Sequence, residues 1–145
     1  RASFAQWSAG DVVPYLQNTR TPVAYKDAFS AAFDVQPVSR VTPAWDETAS
    51  PEVKLEKIIT QKWIACYPEG CEAWAEQRRT GYPRLFPVLV NDSQGTVDTA
   101  LGPRRFNFFV GIKTANPEQY NALVEALGGP DNCGTRLWWD TGRNF

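Results

Sequence analysis

The sequence predicts a mainly helical fold with little β-structure. Two stretches, Ser50–Tyr67 and Asn116–Leu127, carry helix start signals, helix stop signals and apolar side chains at helical spacing. Only two short apolar runs, "FPVLV" and "FNFFV", are similar to strands. With 145 residues, of which 43% are apolar, the chain has enough material for one domain with a core.

The first third of the chain is predicted to be mostly loop. Residues 2–9, "ASFAQWSA", are typical of the end of a helix that begins before Arg1 and that Gly10 and Pro14 halt, so we expect the chain to be a fragment. Prolines and scattered polar residues then indicate a loop over residues 11–49. Aromatic residues recur at helical spacing within it, which predicts one short helix through Tyr25, Phe29 and Phe33.

The middle of the chain carries the first strong helix signal. Ser50 is a good N-cap, Pro51 suits the first helical position, and Glu52 lies near the positive end of the helix dipole. The apolar stripe that should face a partner consists of Leu55, Ile59 and Trp63, with Ile58 alongside. Polar residues on the other side of this helix should mostly face water: Lys54, Lys57, Gln61 and Lys62.

A second helix is predicted from Glu69 to Arg79, which makes a helix-turn-helix unit with the first. Arg78 and Arg79 fall in its last turn, where cations complement the exposed carbonyl groups. Gly81 is well placed just after the helix, and Pro83 prevents its continuation. Helical spacing brings Arg78 within reach of Trp74 and Arg79 within reach of Glu76. A structural role for both arginines is therefore favoured over ligand contact.

The rest of the chain is predicted to contain an irregular segment and a final helix. Between Tyr82 and Gly111 the two apolar runs could be strands of a small hairpin or extended loops pressed onto helices. Asn116 caps the final helix and Pro117 opens it. Its apolar residues follow the helical pattern until Gly128-Gly129-Pro130: Tyr120, Leu123, Val124 and Leu127.

The three cysteines do not have the spacing of a zinc site. Cys66 and Cys71 flank the turn between the two middle helices, and Cys133 lies near the end of the chain. We expect Cys66 and Cys71 to be free thiols that act as small apolar core residues. The alternative is a disulfide across the turn, which would require export from the cytoplasm.

Composition excludes several classes of function. The chain has no histidine, which removes Ser-His-Asp and Cys-His nucleophiles and the usual histidine metal sites. We expect no metal site and no cofactor. A net charge of −1 gives no field that would attract nucleic acid. A membrane-spanning helix needs about 20 consecutive apolar residues, and no apolar run in the sequence approaches that length. Hydrolysis of a glycan by paired carboxylates remains possible, since it needs only Asp and Glu.

Five motifs, in order along the chain, together resemble the C-terminal part of the SusD/RagB family. They are "IITQKWIA" at 58–65, "EAWAEQRRTGYP" at 72–83, "GPRR" at 102–105, "GGPD" at 128–131 and "TRLWWD" at 135–140. Weaker similarity in "ASFAQW" and "PYL" extends the resemblance to the N-terminus. Residues 1–145 would then be a C-terminal fragment of a single SusD-like domain whose N-terminal TPR-like part is absent.

The resemblance implies a cell-surface, lipid-anchored protein of a Gram-negative outer membrane. Such a protein captures a nutrient, a glycan or an oligopeptide, for a SusC-like TonB-dependent transporter. It would be no enzyme and would have no nucleic-acid partner. The fold implied is a TPR-like helical scaffold with long irregular loops, and membrane contact would come only through an N-terminal lipid anchor outside this chain. Where the family commonly has Tyr-Pro after the second Arg-Arg pair, this chain has "FNFF", and Cys133 stands where glycine is common.

The resemblance assigns structural roles to the residues of the motifs: Trp63, Trp74, Arg78, Arg79, Gly81, Trp138 and Trp139. We expect at most one of the adjacent Trp138 and Trp139 to be exposed, because neighbours in an extended chain point to opposite sides. The ligand contact expected from this chain is therefore Trp45, with Asp46 and Glu47 beside it to accept hydrogen bonds from hydroxyl groups. The competing interpretation is that Trp45 packs its loop onto the core.

Two other functions remain open from the sequence. One is a glycan-processing enzyme whose catalytic carboxylates would come from Glu72, Glu76, Asp92, Asp98 and Asp140. The other is a TPR-like scaffold that binds protein segments.

Overall fold

The computed structural model describes residues 9–142, and these residues are mainly helical. They form a 3-10 turn at Ala31–Phe33 and the helices α1 (Ala9–Leu16), α2 (Pro51–Ala65), α3 (Gly70–Thr80), α4 (Val110–Ala115) and α5 (Pro117–Leu127). Within the described range, the β-structure is a single antiparallel bridge between Tyr25 and Val35. The predicted fold class is confirmed.

The described residues divide into two compact units. The first runs through Phe86 and contains α1, α2 and α3. The second begins at Pro87 and contains α4 and α5. In the first unit α2 contacts α3, and in the second α4 contacts α5.

Helix α2 forms as its sequence predicts. The Ser50 hydroxyl accepts a hydrogen bond from the Val53 N–H, and Pro51 opens the helix. Ile59 is buried, while Leu55 and Trp63 are half-buried. The predicted apolar stripe therefore faces the protein.

The polar side of α2 differs from the prediction. Lys57 was expected to face water, but its Nζ donates to the carbonyl oxygens of Thr42, at 2.8 Å, and Ala44, at 2.6 Å. Gln61 is also half-buried and accepts a hydrogen bond of 2.6 Å from the Tyr15 hydroxyl. The loop before α2 has carbonyl groups without partners in secondary structure, and α2 supplies the donors that satisfy them.

A buried carboxylate completes this contact. Glu56 lies on α2, is almost fully buried, and accepts a hydrogen bond of 2.8 Å from the Ser39 hydroxyl. Arg84 lies 3.5 Å from the other Glu56 oxygen. Helix α2 therefore organises the first unit through both its apolar and its polar sides.

The N-terminal prediction was partly wrong. Residues 1–8 lie outside the described range, so the predicted helix end at residues 2–9 is mostly not described. Gly10 and Pro14 do not halt a helix, because α1 continues through both to Leu16. Proline removes one donor but has a φ that suits a helix. The last turn closes beyond it with a hydrogen bond of 3.1 Å from the Gln17 N–H to the Val13 carbonyl.

The predicted helix through Tyr25, Phe29 and Phe33 does not form. Asp27 instead accepts hydrogen bonds of 2.9 Å from the N–H groups of Phe29 and Ser30, and Tyr25 pairs with Val35. Side-chain to backbone bonds of this kind compete with helix formation. The helical spacing of these aromatic residues does not correspond to a buried helix face, since Phe29 is 98% exposed.

The two apolar runs, residues 86–90 and 106–110, are not paired strands. Residues 86–90 are a loop, but this loop is exposed and not pressed onto helices as the second alternative expected. Val110 at the end of "FNFFV" begins α4, a helix that was not predicted. Helix α5 is confirmed. The Asn116 side chain accepts from the Gln119 N–H at 3.0 Å, and Gly128 ends the helix at a φ of 73°.

The cysteines are free thiols, as expected. The expectation that two of them fill the core is wrong, because Cys71 is exposed and Cys66 is only half-buried. Over residues 9–142, none of the helices combines the length and the apolar character that crossing a bilayer requires.

Candidate functional site

The loop expected to contact ligand leaves Trp45 partly exposed. The residue is 43% exposed, and its indole N–H donates a hydrogen bond of 2.7 Å to the Glu47 carboxylate. The Lys54 ammonium lies 5.8 Å from the centre of its ring. The Trp45 side chain therefore contacts Glu47 and Lys54 but is not buried in a core. Part of its ring remains available for stacking.

The two carboxylates beside Trp45 already hold protein donors. Asp46 accepts from the Thr48 hydroxyl at 2.7 Å and the Thr48 N–H at 2.8 Å, and these bonds lower the pKa of Asp46. Hydrogen bonds from Trp45 and then Lys54 lower the pKa of Glu47. Both oxygens of Glu47 are engaged, so Asp46 is the better placed of the two to accept a ligand hydroxyl.

The two arginines at the end of α3 have the partners that the sequence predicts. The Arg78 guanidinium lies 3.6 Å from the centre of the Trp74 ring, and Arg79 is 2.6 Å from the Glu76 carboxylate. The hydrogen bond from Arg79 is the largest cause that lowers the pKa of Glu76. Gly81 follows the helix in the left-handed conformation, with a φ of 75°.

A second pair of adjacent arginines forms the most buried charged cluster in the described chain. Arg104 Nε lies 2.7 Å from one oxygen of Asp140, and Arg104 Nη2 lies 2.5 Å from the other. Arg136 approaches the same carboxylate at 2.7 Å. Asp140 is 2% exposed. This bidentate pair joins residues that are 36 positions apart in sequence and fixes the C-terminal loop.

Arg105 and Asp131 form the second buried pair, at 2.6 Å. Burial raises the pKa of Asp131, but hydrogen bonds from Arg105 and the Phe108 N–H outweigh it, so the pKa lies below its ordinary value. The Tyr120 hydroxyl on α5 also lies 3.3 Å from Asp131. Asp131 thus connects Tyr120 on α5 to the segment that contains Arg105.

These residues lie in the motifs "GPRR", "GGPD" and "TRLWWD", and their pairing was not predicted from the sequence. Their separations of 26 and 36 positions have no local periodicity. Composition alone indicated that these residues could be paired. Two adjacent arginines lie outside any predicted helix, and two aspartates lie in otherwise apolar or turn-forming motifs, where charged residues are rarely buried unless they are paired.

The adjacent tryptophans in the last motif behave as expected. Trp138 is 91% exposed, whereas Trp139 is half-buried. Trp63 and Trp74, on the helices of the first unit, are also half-buried. Among the motif tryptophans, Trp138 is therefore the one that presents its ring to the surroundings.

The carboxylates considered for catalysis are distributed over several structural roles. Glu72 and Glu76 both pair with Lys62, at 2.8 Å and 3.1 Å. Asp140 is enclosed between two arginines. Asp92 and Asp98 are exposed in a loop of the second unit.

Comparison with known proteins places these features in one family. A family model described as Susd and RagB outer membrane lipoprotein matches residues 1–140. No curated protein sequence shows significant similarity to the chain.

Several solved structures are similar in both sequence and fold. A SusD homologue from Bacteroides vulgatus is 53% identical with a TM-score of 0.86, over 99% of this chain and 29% of that one. A chitin-binding SusD homologue from Flavobacterium johnsoniae is 51% identical with a TM-score of 0.86, over 98% of this chain and 30% of that one. A SusD homologue from Bacteroides thetaiotaomicron is 37% identical with a TM-score of 0.82, over 91% and 29%.

The chain thus spans about three-tenths of the length of these relatives. Within that share, the path of its backbone is similar to theirs. The chain belongs to the SusD-like family of outer membrane lipoproteins.

Proposed function

We propose that this chain is part of a cell-surface lipoprotein that binds a glycan and delivers it to a SusC-like TonB-dependent transporter. The observation that carries the proposal is the 51% identity, over 98% of this chain, to a chitin-binding SusD homologue. Chitin oligosaccharides are therefore the first ligands to test.

A role in binding without chemistry is supported by the state of the carboxylates. Glycoside hydrolysis needs one carboxyl group that can donate a proton and a second that acts as base or nucleophile. The lowered pKa of Glu76 disfavours the protonated form, and Arg104 and Arg136 hold Asp140 in a buried ion pair. Glu76 is therefore poorly suited to donate a proton, and both arginines already occupy the Asp140 carboxylate.

Trp45 and Asp46 are the contacts that we propose within the first unit. The partly exposed indole provides a flat apolar face for a sugar ring, and the second oxygen of Asp46 can accept a hydroxyl hydrogen bond. Glu47 would hold the indole in place through the bond to its N–H.

Titration of the native gene product with chitohexaose, by isothermal calorimetry, tests ligand class and contact together. Trp45→Ala should weaken binding by up to about tenfold, because stacking on an aromatic ring is worth about 0.5–1.5 kcal/mol and about 1.4 kcal/mol corresponds to tenfold in affinity. Phe29→Ala is the control, since Phe29 is a still more exposed aromatic in another loop of the same unit. If Trp45→Ala binds chitohexaose as tightly as Phe29→Ala and the parent do, the Trp45 loop does not contact the ligand.

The transporter is tested by affinity purification of the tagged protein from detergent-solubilised outer membranes. The proposal expects a TonB-dependent transporter to co-purify, and deletion of the gene to abolish uptake of the bound glycan. Uptake that persists unchanged in the deletion strain would contradict delivery to a transporter.

A further inference from the structure

An open groove lies in the second unit between two loops, residues 91–101 and residues 130–135. Its volume is about 700 Å³, within the range of about 300–1,000 Å³ typical of ligand sites. Side chains that line it include Asn91, Val97, Asp98, Thr99, Leu101 and Asn132.

The first wall of the groove is held by its own side chains. Asn91 Nδ2 donates to the Val97 carbonyl at 3.0 Å and to the Thr99 hydroxyl at 2.8 Å. Ser93 accepts from the Val97 N–H at 3.1 Å. The loop therefore has a defined shape although it contains no helix or strand.

The second wall is held in the same way. Asn132 Oδ1 accepts hydrogen bonds from the N–H groups of Gly134, at 2.9 Å, and Thr135, at 3.0 Å. The Asn132 carbonyl also accepts from Arg105 at 3.2 Å, which connects this wall to the buried Arg105–Asp131 pair.

A backbone hydrogen bond joins the two walls. The Cys133 N–H donates to the Thr96 carbonyl at 3.1 Å, and the Cys133 carbonyl accepts from the Arg104 N–H at 2.7 Å. A ligand that enters the groove would thus meet walls that are already in place, and binding would cost little ordering entropy.

The chemistry of the lining favours a neutral ligand that donates hydrogen bonds. Asp98 Oδ1 accepts from the N–H groups of Ala100 and Leu101, whereas Oδ2 has no donor anywhere in residues 9–142. Neither Lys nor Arg is among the described residues that line the groove. The Asp98 charge would repel an anionic ligand, and Val97, Leu101 and Pro130 supply apolar surface for the C–H face of a ring.

We propose that this groove is a saccharide subsite that selects neutral oligosaccharides over anionic ones, with Asp98 and Thr99 as acceptors for sugar hydroxyls. The inference rests on the proposed glycan-binding function and adds a location and a charge preference to it. It is independent of the Trp45 contact, which belongs to the first unit.

The test compares Asp98→Asn with Asp92→Asn in the native gene product. Asp98→Asn keeps an oxygen that can accept from Ala100 and Leu101, so the turn is preserved while the free acceptor becomes a donor. Asp92→Asn makes the same change of charge at an exposed carboxylate of the same loop that does not line the groove. Chitohexaose and an anionic oligogalacturonate serve as probes.

Asp98→Asn should weaken chitohexaose binding about tenfold, while Asp92→Asn should bind like the parent. The parent should bind oligogalacturonate at least tenfold more weakly than chitohexaose. If the parent binds chitohexaose and Asp98→Asn binds it equally well, the groove is not a saccharide subsite, and the proposed glycan-binding function is still supported. If the parent binds neither saccharide, both proposals fail.

Hydrogen exchange of the unmodified protein provides a measurement that does not depend on the folding of a variant. Saturating chitohexaose should slow the exchange of amides in residues 95–99 and 132–135. A bound ligand that leaves both segments unprotected would overturn the subsite.

Discussion

The two units of this chain are stabilised in different ways. In the first unit, α2 carries its own start signal, its own apolar stripe and the polar groups that hold the preceding loop. In the second unit, two buried arginine–aspartate pairs join segments far apart in sequence. Local signals were therefore sufficient to predict α2 and its apolar stripe. The contact of α2 with the preceding loop and the ion pairs of the second unit depend on contacts that no local pattern predicts.

The largest effect should come from breaking the ion pair of the second unit. Among residues 9–142, Arg104→Ala leaves the more exposed Arg136 as the one charged partner of the buried Asp140 carboxylate. Loss of one member of a buried pair costs about 3–5 kcal/mol. Chemical denaturation of the native gene product measures the change in free energy of unfolding.

Two further variants sharpen this prediction. Arg136→Ala should cost less, because its side chain is 39% exposed. Arg104→Met combined with Asp140→Leu should recover part of the loss, since apolar residues can replace a buried ion pair. If Arg104→Ala unfolds like the parent, the comparison between the two units is wrong.

The corresponding change in the first unit is Ile59→Ala. Ile59 is 4% exposed, and truncation of such a side chain costs about 2–5 kcal/mol. Its neighbour Ile58 is 52% exposed, so Ile58→Ala should change the free energy of unfolding by less than about 1 kcal/mol. Similar losses for the two variants would show that α2 buries a different face.

Low pH should lower the free energy of unfolding of the second unit, because Asp131 becomes protonated. The loss should be smaller than that caused by removing a buried partner, because a protonated carboxyl still forms hydrogen bonds. The folded pKa of Asp131 lies below its ordinary value of 3.8. Its contribution to stability is therefore complete above pH 3.8 and is lost as the pH falls through the folded pKa.

The measurement is the free energy of unfolding of the parent and of Asp131→Asn as a function of pH. The difference between them should shrink below pH 3.8. A difference that stays constant across this range would mean that Asp131 does not titrate with a lowered pKa in the folded protein.

The smallest effects should come from the arginines at the end of α3. Arg78→Ala should cost about 1 kcal/mol through the lost contact with Trp74, and Arg79→Ala less than about 1 kcal/mol because its pair with Glu76 is largely exposed. Ligand affinity should stay unchanged in both. A variant that melts like the parent but loses chitohexaose would give that arginine a role in binding.

Much of the candidate site could not be predicted from sequence. The sequence predicted that at most one of Trp138 and Trp139 would be exposed, and Trp138 is the exposed one, although the two residues lie in a turn and not in an extended segment. The use of both Glu47 oxygens by Trp45 and Lys54 did not follow from sequence, because it depends on where the loop meets α2. Asp98 was considered only as one carboxylate among several, since nothing local shows that it borders a groove.

Local residue patterns predicted the mainly helical class, the bounds of α2, α3 and α5 to within one or two residues, and the partners of Arg78 and Arg79. These features depend on residues three or four positions apart, whose neighbourhood is set by the helix itself. Three features were visible only in the folded chain: "FNFFV" ends in a helix, Lys57 holds a loop, and Arg104 and Arg105 pair with Asp140 and Asp131. The contacts of Lys57, Arg104 and Arg105 join segments at least 13 positions apart. Which segments meet depends on how each unit packs and satisfies its buried polar groups.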